Sequence, residues 1–257
     1  HSRSGIDSQS LCEASHEAWI HLYRGHAYSR ETQISYYLEG ELSIFALDAE
    51  LRKRSNGDSG VGDLMAELYH KHNINVETKR DRGIQYKDIR KALTSLRGGR
   101  RLGSFLDELT TKKGVLDLDK AFSLFGIPYE SSKTKERKDG TDNIAWKDFE
   151  QGWLGINVRN QNNKLLVASH LQESPVREHL QVGDEVIAIN DQRITSSEQL
   201  KTALKGKTEE DITILYSRSS IVQEVNVTPI NEPKAPTVSA CEGNRFWKAT
   251  TRTLQKS

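Results

Sequence analysis

The chain has 257 residues, 37 basic and 36 acidic, with interspersed charges and a net charge of +1. That length suits one large domain or two ordinary ones. The balance gives no electrostatic case for a nucleic-acid partner, and no window approaches the 18 consecutive apolar residues that a membrane span needs.

The first residues, His1-Ser2-Arg3-Ser4-Gly5, carry no apolar stretch after the charge and no initiator methionine, so they read as the middle of a longer sequence rather than as a signal peptide. Cys12 and Cys241 lie at opposite ends of the sequence and could pair only if the termini meet, so two free thiols are expected; neither has a CxxC neighbour, so no zinc knuckle or redox motif is indicated. Leu11, Ala14, Ala18, Trp19, Leu22 and Tyr23 fall close to helical spacing and predict a helix over about 10–24. Within it, His16-Glu17-Ala18-Trp19-Ile20-His21 invites a zinc reading. A metallopeptidase helix needs histidines at i and i+4 with the glutamate between them as base. Here five residues separate them, about 500° around the helix, so the rings diverge by roughly 140°. His26 does not repair that geometry, and His70 and His72 also point apart, so no metal site is predicted.

A helix over 34–54 carries two adjacent apolar stripes. One is Leu38, Leu42, Phe45 and Ala49; the other is Ile44, Leu47 and Leu51. A face that wide predicts a mostly buried helix. It should stop at Arg52-Lys53-Arg54-Ser55-Asn56-Gly57, where basic residues suit the C-terminal dipole and Asn-Gly breaks the helix. Ser59 is the expected N-cap of a third helix carrying Val61, Leu64, Met65, Leu68 and Tyr69. Shorter amphipathic runs cover about 85–97, 102–110 and 117–125, the last ending at Gly126-Ile127-Pro128. Residues 131–140 hold no apolar side chain and read as a solvated loop or linker. From about 150 the period changes from 3.6 to 2. Residues 165–167, 186–189, 212–216 and 222–227 read as strands, and 197–204 as one helix with Leu200, Ala203 and Leu204 inward. After Pro229 the tail is polar until Phe246-Trp247, a pair that predicts docking back onto the protein.

Ser174 to Asn190 orders a turn dipeptide, a short helical run, the tight turn Gly183-Asp184 and an apolar strand. With Leu154-Gly155-Ile156 and the 197–204 helix, it resembles the bacterial form of the PDZ domain over about 150–230. The resemblance implies a peptide site at Leu154, Gly155, Ile156, Asn157, Leu200 and Leu204. Backbone N–H groups of the Leu154-Gly155 loop would take a terminal carboxylate, and the strand from Ile156 would pair with the peptide. The same four residues, Trp153 to Ile156, equally fit an edge strand covered by the rest of the protein.

Gln9-Ser10-Leu11, Ala18-Trp19-Ile20, Ile34-Ser35-Tyr36-Tyr37-Leu38-Glu39-Gly40 and Leu47-Asp48-Ala49-Glu50-Leu51-Arg52 resemble the glycyl aminopeptidases, thermolysin-like zinc metallopeptidases with a C-terminal PDZ domain. That resemblance runs over nearly the whole chain. It implies an α+β fold of two domains: a helical bundle, the second lobe of the catalytic domain, over 1–130, then a linker over 131–149, a PDZ β-sandwich or barrel over 150–230, and a tail over 231–257. In the family the paired histidines and the glutamate ligand precede this region. The segment is therefore expected to bind no zinc and to be inactive alone, with zinc held in the full-length enzyme. Tyr37-Leu38-Glu39-Gly40 matches a related Tyr-x-Lys-Gly motif at the tyrosine and glycine and departs from it at Glu39. The match implies that the Tyr37 hydroxyl stabilises an oxyanion, with Tyr36 as the alternate. Both tyrosines also fit helix-start aromatics packed into the core. The expected partner is a peptide or protein C-terminus at the PDZ groove, or the chain's own helical domain. The family resemblance places the protein in a bacterial periplasm or cytoplasm. The rival reading is a non-catalytic PDZ scaffold, which predicts an open groove over 154–159.

Overall fold

A computed structural model describes residues 4–21, 24–72, 83–114, 116–130, 152–233, 237–238 and 244–248. After a 3-10 turn at Ser4–Asp7 come helices α1 (Leu11–His16), α2 (Ala18–His21), α3 (Ser29–Thr32), α4 (Tyr36–Ser55), α5 (Val61–His72), α6 (Tyr86–Ser95), α7 (Leu102–Thr111) and α8 (Leu118–Leu124). Strands β1 (Tyr129–Glu130), β2 (Gly152–Trp153), β3 (Ile156–Gln161), β4 (Lys164–His170), β5 (Glu185–Ile189) and β6 (Gln192–Arg193) follow. Then come α9 (Ser197–Leu204), β7 (Ile212–Arg218), β8 (Ile221–Val227), β9 (Ile230–Asn231) and β10 (Thr237–Val238). The fold is α+β. Its packing forms two units: described residues within 1–8, 17–34 and 132–234 make one, and those within 9–16, 35–131 and 235–257 make the other. The partition expected from the sequence keeps 1–130 together; the packing groups the described residues within 1–8 and 17–34 with the strand-rich unit.

The helical unit is organised by α4. Ser35 caps it, accepting from the Leu38 N–H, and Asn56 closes it in the left-handed region at φ 60°, as Asn-Gly suggests. Leu47 and Leu51 pack with Leu64 and Leu68 of α5, Leu93 of α6, and Leu102 and Leu106 of α7. The neighbouring stripe, Ala46 and Ala49, packs with Ala121, Phe125 and Ile127. Phe246 and Trp247 of the tail lie against that second cluster, with the Trp247 ring edge-on to Phe125.

Three sequence expectations for this half change. The helix over 10–24 is two short helices parted at Glu17, and Trp19 and Ile20 stand exposed. Leu22 and Tyr23 lie outside the described residues, as do Cys241 and the linker at 131–149; Cys12 is a free, exposed thiol. Second, α4 is buried in its C-terminal half only, because α5 to α8 cover that half; Tyr37, Leu38 and Ile44 are exposed. Third, Ser59 does not cap α5. The helix begins at Val61, whose N–H donates to Asp48 of α4 at 2.7 Å, while Asp63 accepts from Gly60 at 2.8 Å. Asp48 is buried and also accepts from Arg52 Nε at 2.8 Å. A Cβ on Gly60 would collide with the Arg52 guanidinium and lie 2.7 Å from Asp48 Oδ1. The pair and the glycine together fix where α5 leaves α4.

The strand-rich unit is an antiparallel sheet in the order β3-β4-β5-β7-β8, with β6 added beside β5 and a separate β2–β9 pair. Leu165, Val167, Val186, Ile189, Ile212 and Ile214 of the strands lie in its core, and Leu200 and Leu204 of α9 close it. Helix α9 spans the predicted 197–204, capped by Ser196 accepting from the Gln199 N–H. Two-residue turns join the hairpins at Asn162-Asn163 and Ser219-Ser220, all four residues at positive φ, which matches the right-handed twist of the strands. The helical run after Ser174-Pro175 is shorter than expected: one turn, with the Leu180 N–H donating to the Val176 carbonyl at 2.9 Å. Gly183 then turns at φ 98°, and buried Asp184 is held by Arg218 in a bidentate pair at 2.7 and 3.0 Å.

Candidate peptide groove and the tyrosine helix end

Strand β3 is an edge. One side pairs with β4, Ile156 opposite His170 and Asn157 opposite Ser169; the other has no strand beside it among the described residues and faces α9. Ile156 and Val158 alternate inward with Asn157 and Arg159 outward. Between β3 and α9 lies a groove of about 320 Å³. Its apolar lining is Trp153, Leu154, Ile156, Val158, Leu171, Leu200 and Leu204. Five of the six predicted peptide-site residues therefore meet in this groove with their side chains or backbone available to it. The sixth, Asn157, lines it too, with its side-chain amide donating to Ser169 Oγ at 2.9 Å.

The loop entering β3 is held from behind. Ser174 Oγ donates to the Leu154 carbonyl at 2.8 Å, and the Leu171 N–H donates to the Gly155 carbonyl at 2.7 Å. The trans peptide puts the Gly155 N–H opposite the Leu154 carbonyl, so it points away from Ser174. No described residue accepts from it. Gly155 sits at φ 64°, and a Cβ there would lie 2.6 Å from Ser174 Cα and 2.8 Å from the Trp153 ring. The glycine is thus required by the protein's own packing, a stronger reason than the closeness of a ligand.

Beneath the start of β3 a polar pair is buried. Glu31 Oε1 of α3 accepts from the His170 backbone N–H at 2.8 Å and lies 2.9 Å from His170 Nδ1, with the side chains 9% and 2% exposed. His170 Nε2 has no partner among the described residues. Sequence reasoning missed this pair, since nothing in the spacing links residues 139 positions apart. It also missed Val158, Leu171, Lys201 and Glu232 in the groove lining. Val158 was legible, two positions beyond Ile156 on the same strand face.

In the helical unit, Tyr36 and Tyr37 open α4 with ring centroids 4.2 Å apart. Tyr37 is 71% exposed, so it is no core aromatic, and its hydroxyl meets no described acceptor. Burial pushes the Glu39 carboxyl above its ordinary range. Among the described residues no group of three or more His, Cys, Asp or Glu side chains is placed to hold a metal ion, so the described residues do not fit a zinc ion. Among the described residues no helix is long and apolar enough to cross a membrane.

A PDZ-domain family model matches residues 152–228, and the model of the M61 glycyl aminopeptidase family matches residues 1–43. No curated protein matches. A crystal structure of an aminopeptidase N family protein from Idiomarina loihiensis is similar over 93% of this chain, with a TM-score of 0.70 and 21% identity, a likeness of fold. The chain spans 40% of that protein's length. The HtrA-type protease AlgW with a decapeptide is 18% identical over 33% of this chain and 30% of its own, at a TM-score of 0.31. The PDZ domain of a carboxy-terminal protease from Vibrio cholerae in complex with a peptide is 12% identical over 31% of this chain and 94% of its own, at a TM-score of 0.27.

Proposed function

We propose that this chain, a glycyl aminopeptidase-type sequence with its PDZ domain, is the C-terminal portion of a zinc-dependent aminopeptidase whose PDZ groove receives the C-terminus of a peptide or protein. The observation that carries the peptide reading is the unpaired edge of β3 facing α9 across an apolar groove, with the Gly155 N–H unclaimed at its head. A peptide strand laid there would add backbone hydrogen bonds along β3, place its last side chains against Leu200 and Leu204, and bring its carboxylate to Gly155. Ser174 and Leu171 act behind the loop as positioning residues, holding both carbonyls so that the N–H does not rotate away.

The aminopeptidase reading rests on the family match at residues 1–43 and on α4. Its C-terminal half is buried, with Leu47 and Leu51 at 1% and 0% exposure, yet Leu38 and Ile44 are 47% and 45% exposed. Burying such side chains is worth about 1.5–3 kcal/mol each, so exposed apolar residues on both stripes of a helix continuous with a core suit a surface that further protein covers. Tyr37, on that uncovered end, would offer its hydroxyl to an oxyanion, the role the family pattern suggests. Zinc would be supplied with the rest of the enzyme.

Two assays on the 257-residue chain test this. A fluorescent peptide ending in a free apolar carboxyl terminus should bind at micromolar concentration, and its amidated twin much more weakly; equal binding of the two overturns the groove assignment. Incubated with zinc and aminoacyl substrates, the chain should release no N-terminal residue. Release would show a complete active site within it and overturn the portion reading. Peptide binding by the natural full-length protein with no peptidase activity would favour a PDZ scaffold, the reading that the open groove also fits.

A further inference from the structure

In the helical unit a cleft of about 350 Å³ opens between α6 and α7. Lys87, Arg90 and Lys91 line it from α6, and Arg100 and Arg101 from the turn leading into α7. The chain as a whole is nearly neutral, so five cations around one hollow are a local excess. Several basic side chains elsewhere in this unit have acidic partners: Arg97 pairs with Asp58, Lys112 with Glu108 at 2.7 Å, and Lys120 with Glu50 at 2.6 Å. Within the cleft only Arg90 does, 3.1 Å from Asp107. No described residue pairs with the side chains of Lys87, Lys91, Arg100 or Arg101.

The backbone adds to the imbalance. Helix α7 has ten residues, and its N-cap residue, Arg101, makes no side-chain cap, although Ser, Thr, Asp or Asn normally fills that position. Gly103 and Ser104 of its first turn line the cleft, and no described side chain caps their N–H groups. Cations beside the positive end of a helix dipole are unfavourable. Gly103 makes the crowding possible, because a Cβ there would stand 3.0 Å from Arg90 Nε. A helix start without a side-chain cap, set among unpartnered cations in a concave space, suits an anion.

We propose that this cleft binds a compact polyvalent oxyanion, a phosphate or a short run of linked phosphates. Lys87, Lys91, Arg100 and Arg101 would supply the countercharge and the N–H groups of Gly103 and Ser104 the oriented donors. The volume is roughly ten times a water molecule's share of the liquid, about 30 Å³, which leaves room for more than one phosphoryl group. The lining has no aromatic ring and no large apolar side chain, so neither a nucleobase nor an apolar peptide side chain is recognised. The phosphates are the whole epitope, whether they come free or as part of a nucleotide.

The test is titration of the 257-residue chain at fixed ionic strength with phosphate, pyrophosphate, triphosphate and ATP, read by calorimetry and by amide NMR shifts. Affinity should rise with phosphate number, ATP should match triphosphate, and the largest shifts should fall at Gly103 and Ser104. The double variant Lys91→Gln, Arg100→Gln changes two exposed side chains without partners, so it should fold with unchanged thermal stability. It should weaken pyrophosphate about tenfold, the combined effect of two exposed charge contacts. The control Lys112→Gln should bind pyrophosphate as the unaltered chain does. Binding indifferent to the double variant, shifts spread over other basic surfaces, or ATP far tighter than triphosphate would each overturn the proposal. So would binding of a poly-glutamate peptide in the absence of pyrophosphate binding.

Discussion

Gly155→Ala tests the groove loop directly. An alanine held at φ 64° loses roughly 1–2 kcal/mol to backbone strain. Its Cβ would also lie 2.6 and 2.7 Å from Ser174 Cα and Cβ and 2.8 Å from Trp153 Cη2, contacts that no flexible side-chain tip can relieve. Overpacking of that kind costs about 1–3 kcal/mol. The two effects share one relaxation, a shift of the loop away from Ser174, so they should not add fully; about 3 kcal/mol is expected. The same shift breaks the 2.8 Å bond from Ser174 Oγ to the Leu154 carbonyl and turns the Gly155 N–H. The variant should therefore no longer distinguish a free from an amidated peptide C-terminus. Leu200→Ala opens a cavity of similar cost, about 2–5 kcal/mol, and should weaken both peptides alike. Hydrogen exchange of the β4, β5 and β7 amides reads this unit separately from the helices, and anisotropy with the two peptides reads the groove. If Gly155→Ala leaves the exchange free energy within about 0.5 kcal/mol of the parent and keeps the carboxylate preference, the loop is not held as described.

In the helical unit, Asp48→Ala removes the acceptor of the Val61 N–H and strands buried Arg52; a loss of about 3–5 kcal/mol in urea unfolding is expected, and less than 1 kcal/mol would show that α5 is anchored otherwise. At Glu50 burial raises the carboxyl, but Lys120 and Arg54 outweigh it and leave it below its ordinary value. A lowered folded value gives stability that is complete above the unfolded value, about 4.3, and lost as pH falls through the folded one; Glu50→Gln should flatten that acid limb in α4 exchange. Ser219 and Ser220 sit at φ 51° and 68°, where Asn-Gly is preferred, so Ser219→Asn with Ser220→Gly should stabilise the β7–β8 hairpin by about 0.5–1 kcal/mol; no gain, or a loss, in thermal unfolding would contradict the turn assignment.

What the sequence disclosed followed from signals that are local. The stop at Asn56, the boundaries of α9 and the strand at 186–189 each depend on residues within a few positions of one another. Errors came where a neighbour distant in sequence decides the outcome. Ser59 has the right chemistry for a cap, yet the α5 start is served by Asp48, thirteen residues before Val61 and one helix away. The wide apolar face of α4 is real, but burial follows what lies against each half and not the width of the stripe. In β5 a bulge between Val186 and Ala188 shifts the pairing with β7, so Ala188 and Ile189 are both buried and strict alternation fails.

The candidate site divides the same way. Leu154 to Asn157 are consecutive, and Leu200 and Leu204 are one helical turn apart, so family pattern and period sufficed to find them. Glu31 and His170 carry no such signal, and the pair has a consequence for the groove. Glu31 Oε1 takes both the backbone N–H and the ring nitrogen of the residue opposite Ile156, so the strand end that presents the peptide edge is fixed from α3. The apolar groove residues decide which side chains fit. The buried polar contacts at Ser174 and Glu31, invisible to periodicity, decide whether the edge is rigid enough to select a carboxyl terminus at all.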